Sequence, residues 1–342
     1  MSKTKRNKRY ASYKQTGYCT HERLCLLHER LALFYRSYLL EHPDGQIATY
    51  FRTLNIPIDV ADKFCIGASP DRWDAAIRFA HKEGFVDDEL RASGIVSTAD
   101  FYDRFRNRLM FPIWNDTGRI VGFNALSVND DSQDKRCLST PDSPIFHKDH
   151  LLYALNFART DILKAGAVVL CEGLFDTIAM HNAGVFHAVS PQGTTISVDQ
   201  ASILKRLTST AILAMGDGNT EREMLFKNAA VLLPLNFTLK VISYSGVNNA
   251  EEMLSKFGID ALVEAVQDAD DFFEFALEHA LSKVNPSTPA GRAAAANEVI
   301  AWIIQIENEV TREIYFNWLA DKLKVPVSSI EKVAGRFLSN EK

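Results

Sequence analysis

Two groups of charged residues in this 342-residue sequence are spaced for chemistry. Glu172 follows the uninterrupted apolar run 167–171 and precedes Gly173 and Asp176. An apolar run without alternation reads as a strand buried on both faces, the parallel-sheet kind. An acid at the carboxyl end of such a strand lies on the edge where open α/β sheets bind ligands. Gly173 lets the chain turn sharply, and Asp176 falls in the first turn of the helix that follows. A merely solvated strand end fits the same letters. The second group is Arg104, Arg106 and Arg108, alternating with Phe105 and Asn107. On an extended segment the three share one face, offering planar forks to phosphate or pairing with acids along a sheet edge. Lys135, Arg136, His147 and Lys148 bracket the loop 138–146 and add cations, a clustering that favours a polyanion track.

The elements that must position these groups are readable in outline. Leu24, Leu27, Leu31, Phe34 and Tyr38 form a helical stripe that ends at the turn 42–45. Short helices are expected over 47–54, 59–64, 71–83 and 87–92. Residues 109–114 and 119–126 read as two strands joined by a hairpin turn at 115–118. Beyond Arg159, buried-strand runs at 167–171, 186–190, 211–215 and 239–243 alternate with helical segments, which implies a parallel α/β sheet. All of these runs end in small, polar or acidic residues, and in a parallel sheet those ends fall on one edge. Carboxylates from separate strands then meet there, as a divalent-metal site for phosphate chemistry requires. From 271 to 342 apolar residues recur at helical spacing, with no visible chemistry.

Composition narrows the class. The chain is long enough for two or three packed units, and no run of ~18 apolar residues exists to span a membrane. Lysine and arginine total 38 against 43 acids, a formal charge of −5, so nucleic-acid binding must rest on a local patch. Five scattered cysteines and no secretory leader suit a reducing cytoplasm. Residues 1–16 are rich in lysine and arginine and read as a disordered basic arm. Cys19, His21, Cys25 and His28 lie close together and could bind zinc, although the segment also has a packing role.

The order of these pieces resembles the catalytic core of bacterial DnaG-type primases. The likeness is carried by residues 102–113, by the return strand 118–123, by Leu138–Ser139–Thr140–Pro141 with Ile145–Phe146–His147–Lys148, and by the E-G-x-x-D start of a TOPRIM domain at 172–176. It extends over roughly residues 30 to 335. The implied fold is α/β: a basic α+β N-terminal subdomain at 21–160 behind an arm at 1–20, a parallel-sheet TOPRIM domain at 161–270, and a helical C-terminal subdomain at 271–342. The implied activity is DNA-directed RNA polymerisation of short primers on single-stranded DNA from ribonucleoside triphosphates, assisted by Mg²⁺ or Mn²⁺. The resemblance gives template or nucleotide contacts to Arg104, Arg106, Arg108, Arg136 and Lys148. It makes Glu172, Asp176 and Asp217 catalytic, with Glu172 and Asp217 also holding metal.

Departures from the family pattern define the alternative. An aspartate–x–aspartate pair is expected at the third strand end, where this chain has Gly216 and Gly218 around Asp217. Ser245, Asn248 and Asn249 replace further acids; Glu221, Glu223, Glu251 or Glu252 could compensate or could simply face solvent. No zinc-binding or helicase-binding module is expected, so a replicative helicase or a separate zinc-binding protein would act in trans, in the manner of a phage or mobile-element protein. The competing reading is a catalytically degenerate relative that binds single-stranded DNA or a replication partner as an accessory or inhibitor.

Overall fold

The structure, a computed structural model, describes residues 19–128, 136–216, 218–244 and 246–340. The basic arm up to residue 18, and with it Lys135 and Asp217, lies outside the described residues. The chain divides after Asn156 into two compact units.

In the first unit, helix α1 (His21–Glu41) starts at Thr20, whose hydroxyl accepts a hydrogen bond from the Arg23 amide at 3.3 Å. Its buried stripe is Leu24, Leu27, Leu31, Tyr35 and Leu39. The expected Phe34 and Tyr38 lie beside that stripe and are half-buried. Cys25 and His28 are consumed by packing. The His28 ring stacks on Phe123 at 5.6 Å, its Nδ1–H donates to the Leu24 carbonyl at 2.8 Å, and burial holds its pKa down at about 4. Helices α2 (Gln46–Thr53), α3 (Ile58–Lys63), α4 (Ala75–Lys82) and α5 (Asp87–Ser93) follow. The four-stranded sheet runs β1 (Gly67–Ser69), β2 (Arg108–Trp114), β3 (Ile120–Ser127), β4 (Cys137–Ser139), antiparallel throughout. β1 pairs only with the first three residues of β2, so Pro112, which lacks a ladder donor, sits beyond it. A short strand, β5 (Leu152–Tyr153), closes the unit.

In the second unit, α6 (Leu155–Ala165) leads into β6 (Val168–Cys171), and then α7 (Leu174–Asn182), β7 (Ala188–Pro191), α8 (Val198–Lys205), β8 (Thr210–Ala214), α9 (Asn219–Leu232), β9 (Thr238–Val241) and α10 (Ala250–Gln267) alternate. The strands of this unit lie in the order β10–β9–β8–β6–β7, where β10 (Asp270–Asp271) is an antiparallel edge that periodicity did not reveal. The pairings of β6 with β7 and β8, and of β8 with β9, are parallel. β6 and β7 are buried along their whole length, which explains the unbroken apolar runs. One face packs Val169, Ile212 and Ala214 against Met180 of α7 and Met253 and Leu262 of α10.

Helices α11 (Phe272–Ser282), α12 (Pro289–Ile303), α13 (Glu309–Leu323) and α14 (Val327–Asn340) complete the unit. Thr288 caps α12, which has proline in its first turn, and Asn308 caps α13. The Phe226 ring of α9 stacks on Trp302 of α12 at 5.3 Å, and Phe272 meets Trp302 edge-on at 5.8 Å. No helix among the described residues is long and apolar enough to cross a membrane.

Candidate functional site

Parallel pairing of β6, β7 and β8 brings their carboxyl ends to one edge. Glu172 follows β6 directly and is half-buried; burial first, and then the nearby Glu221 charge, raise its pKa above the usual carboxylate range. Gly173 starts α7, with its carbonyl accepting from the Thr177 amide and hydroxyl. Asp176, in the first turn, is almost fully buried. Burial, then the charge of Glu172, push its pKa up to about 7, opposed by the Glu251 amide 3.5 Å away. The rim therefore gathers like charges at a cost that a cation would offset.

The four compensating acids separate into distinct roles. Glu252 turns back to accept from the Asn248 amide and side chain at 2.8 and 2.9 Å, and Lys256 pairs with it. The side chain of Asn249 caps α10 by accepting from the Glu252 amide at 2.9 Å. Glu223 pairs with Lys227 on an exposed face. Glu251 is half-buried, and burial raises its pKa. Glu221 alone of the four both lies within electrostatic reach of Glu172 and folds back over Gly218.

The two glycines are tightly enclosed. A Cβ on Gly216 would lie 2.1 Å from the Asn248 carbonyl oxygen, and one on Gly218 would lie 2.1 Å from Oε2 of Glu221. An aspartate at 216 would collide with the Asn248 backbone, whereas one at 218 would have to displace the end of the Glu221 side chain, whose carboxylate fills the space beside Gly218. Asp217 lies outside the described residues, and among those described no three carboxylate, histidine or cysteine groups converge to hold a metal. Glu172 and Glu221 nevertheless fit Mg²⁺, which is held by one or two carboxylates when substrate phosphates supply the rest.

The basic group in the first unit departs from the expected geometry. Only Arg108 belongs to a strand. Asn107 takes a left-handed φ of 49°, which breaks the alternation that would put Arg104, Arg106 and Arg108 in one extended row. Backbone bonds pin the segment instead. The Asp103 amide donates to Trp73 O at 2.8 Å, the Arg104 amide to Ile95 O at 2.9 Å and the Asn107 amide to Pro70 O at 3.3 Å. The buried Asp103 carboxylate accepts from the Ala76 and Ile77 amides at 2.7 and 3.1 Å, capping α4 from a distance.

Arg104 is half-buried with no hydrogen-bond partner for its Nε, and desolvation lowers its pKa. Arg106 lies over the Trp73 ring, with Cζ 3.3 Å from the centroid. Arg108 donates to the Arg136 carbonyl at 3.1 Å. The loop carrying Lys148 is docked on β3, where the Thr140 amide donates to Phe123 O and the Phe123 amide to Thr140 Oγ1, both at 2.9 Å. Phe146 covers Gly122, where a Cβ would come 2.7 Å from its ring. Lys148 begins a 3₁₀ turn after it. Tyr102 and Asp103 open the motif at 102–113, but neither they nor Trp73 had a role read from sequence; aromatic residues interleaved with arginines were the available signal.

Comparison with known proteins gives these features a family. Residues 34–159 match the DNA primase catalytic core, N-terminal domain, and residues 169–254 match a Toprim-like domain. Residues 273–328 match the DnaB-helicase binding domain of primase, which corrects the expectation that no helicase-binding module is present. A DNA primase of Streptomyces coelicolor is 32% identical over 313 residues, covering 86% of this chain and 48% of that one. A DNA primase of Listeria monocytogenes is 27% identical over 320 residues, covering 92% and 51%. The chain thus spans about half the length of these relatives.

Among solved structures, the RNA polymerase domain of Mycobacterium tuberculosis primase DnaG, in complex with a double-stranded DNA oligomer bearing a 6-nucleotide overhang, superposes with a TM-score of 0.77. It has 26% identity and covers 90% of this chain and 99% of that one. A DnaG primase catalytic domain bound to single-stranded DNA gives a TM-score of 0.77 at 27% identity, covering 90% and 98%. Strand order, strand-end acids and these matches together show that the chain is similar, over most of its length, to DnaG-type DNA primase catalytic cores, with a Toprim-like domain at residues 169–254.

Proposed function

We propose that this chain synthesises short RNA primers on single-stranded DNA during replication by metal-dependent nucleotidyl transfer. The observation that carries the reading is the pair Glu172 and Glu221: two neighbouring carboxylates, neither with a basic partner among the described residues, on the strand-end rim of a TOPRIM-like domain. Glu172 and Glu221, with Asp217, would hold Mg²⁺ or Mn²⁺. Such a cation neutralises triphosphate charge and stabilises the oxygens of an in-line displacement. Burial, and then the Glu221 charge, raise the pKa of Glu172, while buried Asp176, pushed up to about 7, adds less than a full charge beside it near neutral pH. Arg104, Arg106 and Arg108, with Arg136 and Lys148, contact template or nucleotide phosphates through charge-assisted hydrogen bonds. The helical segment matched at 273–328 docks on a replicative helicase of the DnaB type.

The glycines at 216 and 218 favour a second reading, an accessory that binds single-stranded DNA without polymerising. One assay separates the two: single-stranded template, ribonucleoside triphosphates and Mg²⁺ or Mn²⁺, with Glu172→Gln beside the wild type. Primers made by the wild type and lost in the variant establish the polymerase. Salt-dependent DNA binding with no product from either protein establishes the accessory.

A further inference from the structure

We infer that Trp73, with the Arg106 guanidinium stacked on it, is a nucleobase-stacking platform on the N-terminal unit. The inference deepens the proposed function and rests on that unit's binding single-stranded nucleic acid. Trp73 is 58% exposed, whereas Trp114 of the same unit is 8% exposed. Of the four tryptophans Trp73 alone is exposed, and a solvent-facing indole offers a planar surface on which a base can stack. Its exposure persists although Arg106 already lies 3.3 Å from the ring centroid, so the cation occupies only part of the ring surface.

The surroundings favour a polyanionic chain with planar bases over a protein partner. Tyr102 stands edge-on to the indole at 5.0 Å between ring centroids, fixing its orientation. Arg106 makes no ion pair among the described residues, and Arg104, next to Tyr102, has a buried Nε without a partner. The backbone bond from Asp103 to Trp73 O and the Asp103 cap on α4 hold ring and arginines on one pinned piece of chain. An aromatic face flanked by uncompensated guanidiniums is the pattern that binds single strands, with bases stacked on the ring and phosphates met by the cations. An isolated cation–π pair would explain the Arg106 contact but not the open indole beside two arginines that lack acids.

The shared ligand chemistry is a nucleobase, from a DNA strand or from a free nucleotide. Fluorescence anisotropy with a labelled single-stranded 16-mer and with labelled ATP, on the full chain, tells the sources apart. Trp73→Ala is expected to weaken one of the two ligands roughly tenfold at fixed salt. Trp73→Phe should retain most of the affinity, and Trp73→Leu should behave like alanine despite keeping apolar bulk. The slope of log affinity against log salt should stay unchanged, since no phosphate contact is removed. If the strand supplies the base, an abasic oligonucleotide will bind Trp73→Ala and wild type equally.

Unchanged affinity of Trp73→Ala for both ligands, or an equal loss on abasic and normal DNA, overturns the inference alone. Failure of the wild type to bind either ligand at any salt overturns the nucleic-acid reading of the unit together with it.

Discussion

In the C-terminal unit the charged groups sit where regular strands stop; in the N-terminal unit they sit in a stretch that is neither helix nor strand. The parallel sheet places Glu172 by topology, because each strand of a βαβ unit delivers its carboxyl end to the same edge. Arg104 and Arg106 have no such scaffold, and their positions depend on individual bonds from Asp103, Arg104 and Asn107 to the neighbouring turn. Burial first, and then the charge of a neighbouring acid, raise the pKa values of Glu172 and Asp176, so the rim holds its carboxylates at a cost. The arginines are left without acids: Arg106 and Arg104 carry no ion pair among the described residues. A rim of crowded acids favours a cation, and a pinned cluster of unneutralised arginines favours a polyanion.

The largest effect is expected at the strand end. Glu172→Gln keeps the shape and removes one charge, and should lower primer synthesis by roughly a thousandfold. The same variant should bind single-stranded DNA as the wild type does. Loss of DNA binding in that variant would break the division of labour between the units.

A smaller effect follows from the crowding itself. Folded Asp176 holds its proton up to about pH 7, against an ordinary value of 3.8. The folded chain therefore binds more protons than the unfolded one across that interval. This contribution to stability is fully present below the lower value, declines as pH rises, and levels off above the upper one. The neighbours Glu172 and Glu251 are shifted in the same direction. In EDTA, denaturant unfolding of Asp176→Asn should match the wild type near pH 4 and exceed it by about 4 kcal/mol above pH 7. A gap that stays constant with pH would show that Asp176 is ionised throughout.

The same contrast decides what was legible in the sequence. Runs such as 167–171 and 211–215 announce buried parallel strands, and the acid after the first is placed by the sheet alone. The α/β class and the hairpin at 115–118 were readable for similar local reasons, whereas the loop expected at 138–146 begins as strand β4, paired with β3. Arginine spacing, by contrast, predicted a single extended row. It failed because the left-handed Asn107 and the bond to Pro70 O are set by residues some 35 positions away. The role of Asp103 was invisible, since the helix it caps begins 28 residues earlier. Glu221 was one acid among four until the fold showed that Gly218 leaves room for its carboxylate. The match at 273–328 to a helicase-binding domain left no motif to read, because its apolar residues recur at the same helical spacing as in any packed helix.

Asp103 offers the sharpest test of the pinned region. Its carboxylate satisfies the Ala76 and Ile77 amides at the start of α4, where Asp74 makes no side-chain cap. Asp103→Ala leaves these donors buried without acceptors and should destabilise the chain by about 2 kcal/mol. Asp103→Asn, which keeps one acceptor oxygen, should cost roughly half of that. Because the same residue sets the path of Arg104 and Arg106, Asp103→Ala should also weaken single-stranded DNA binding several-fold at a temperature where it remains folded. Mn²⁺ binding, measured by calorimetry, should be unaffected, since the sheet and not this segment positions Glu172. A folded Asp103→Ala protein with normal DNA affinity would mean that the arginines find their places without the cap, and the contrast between bonded and topological placement would fail.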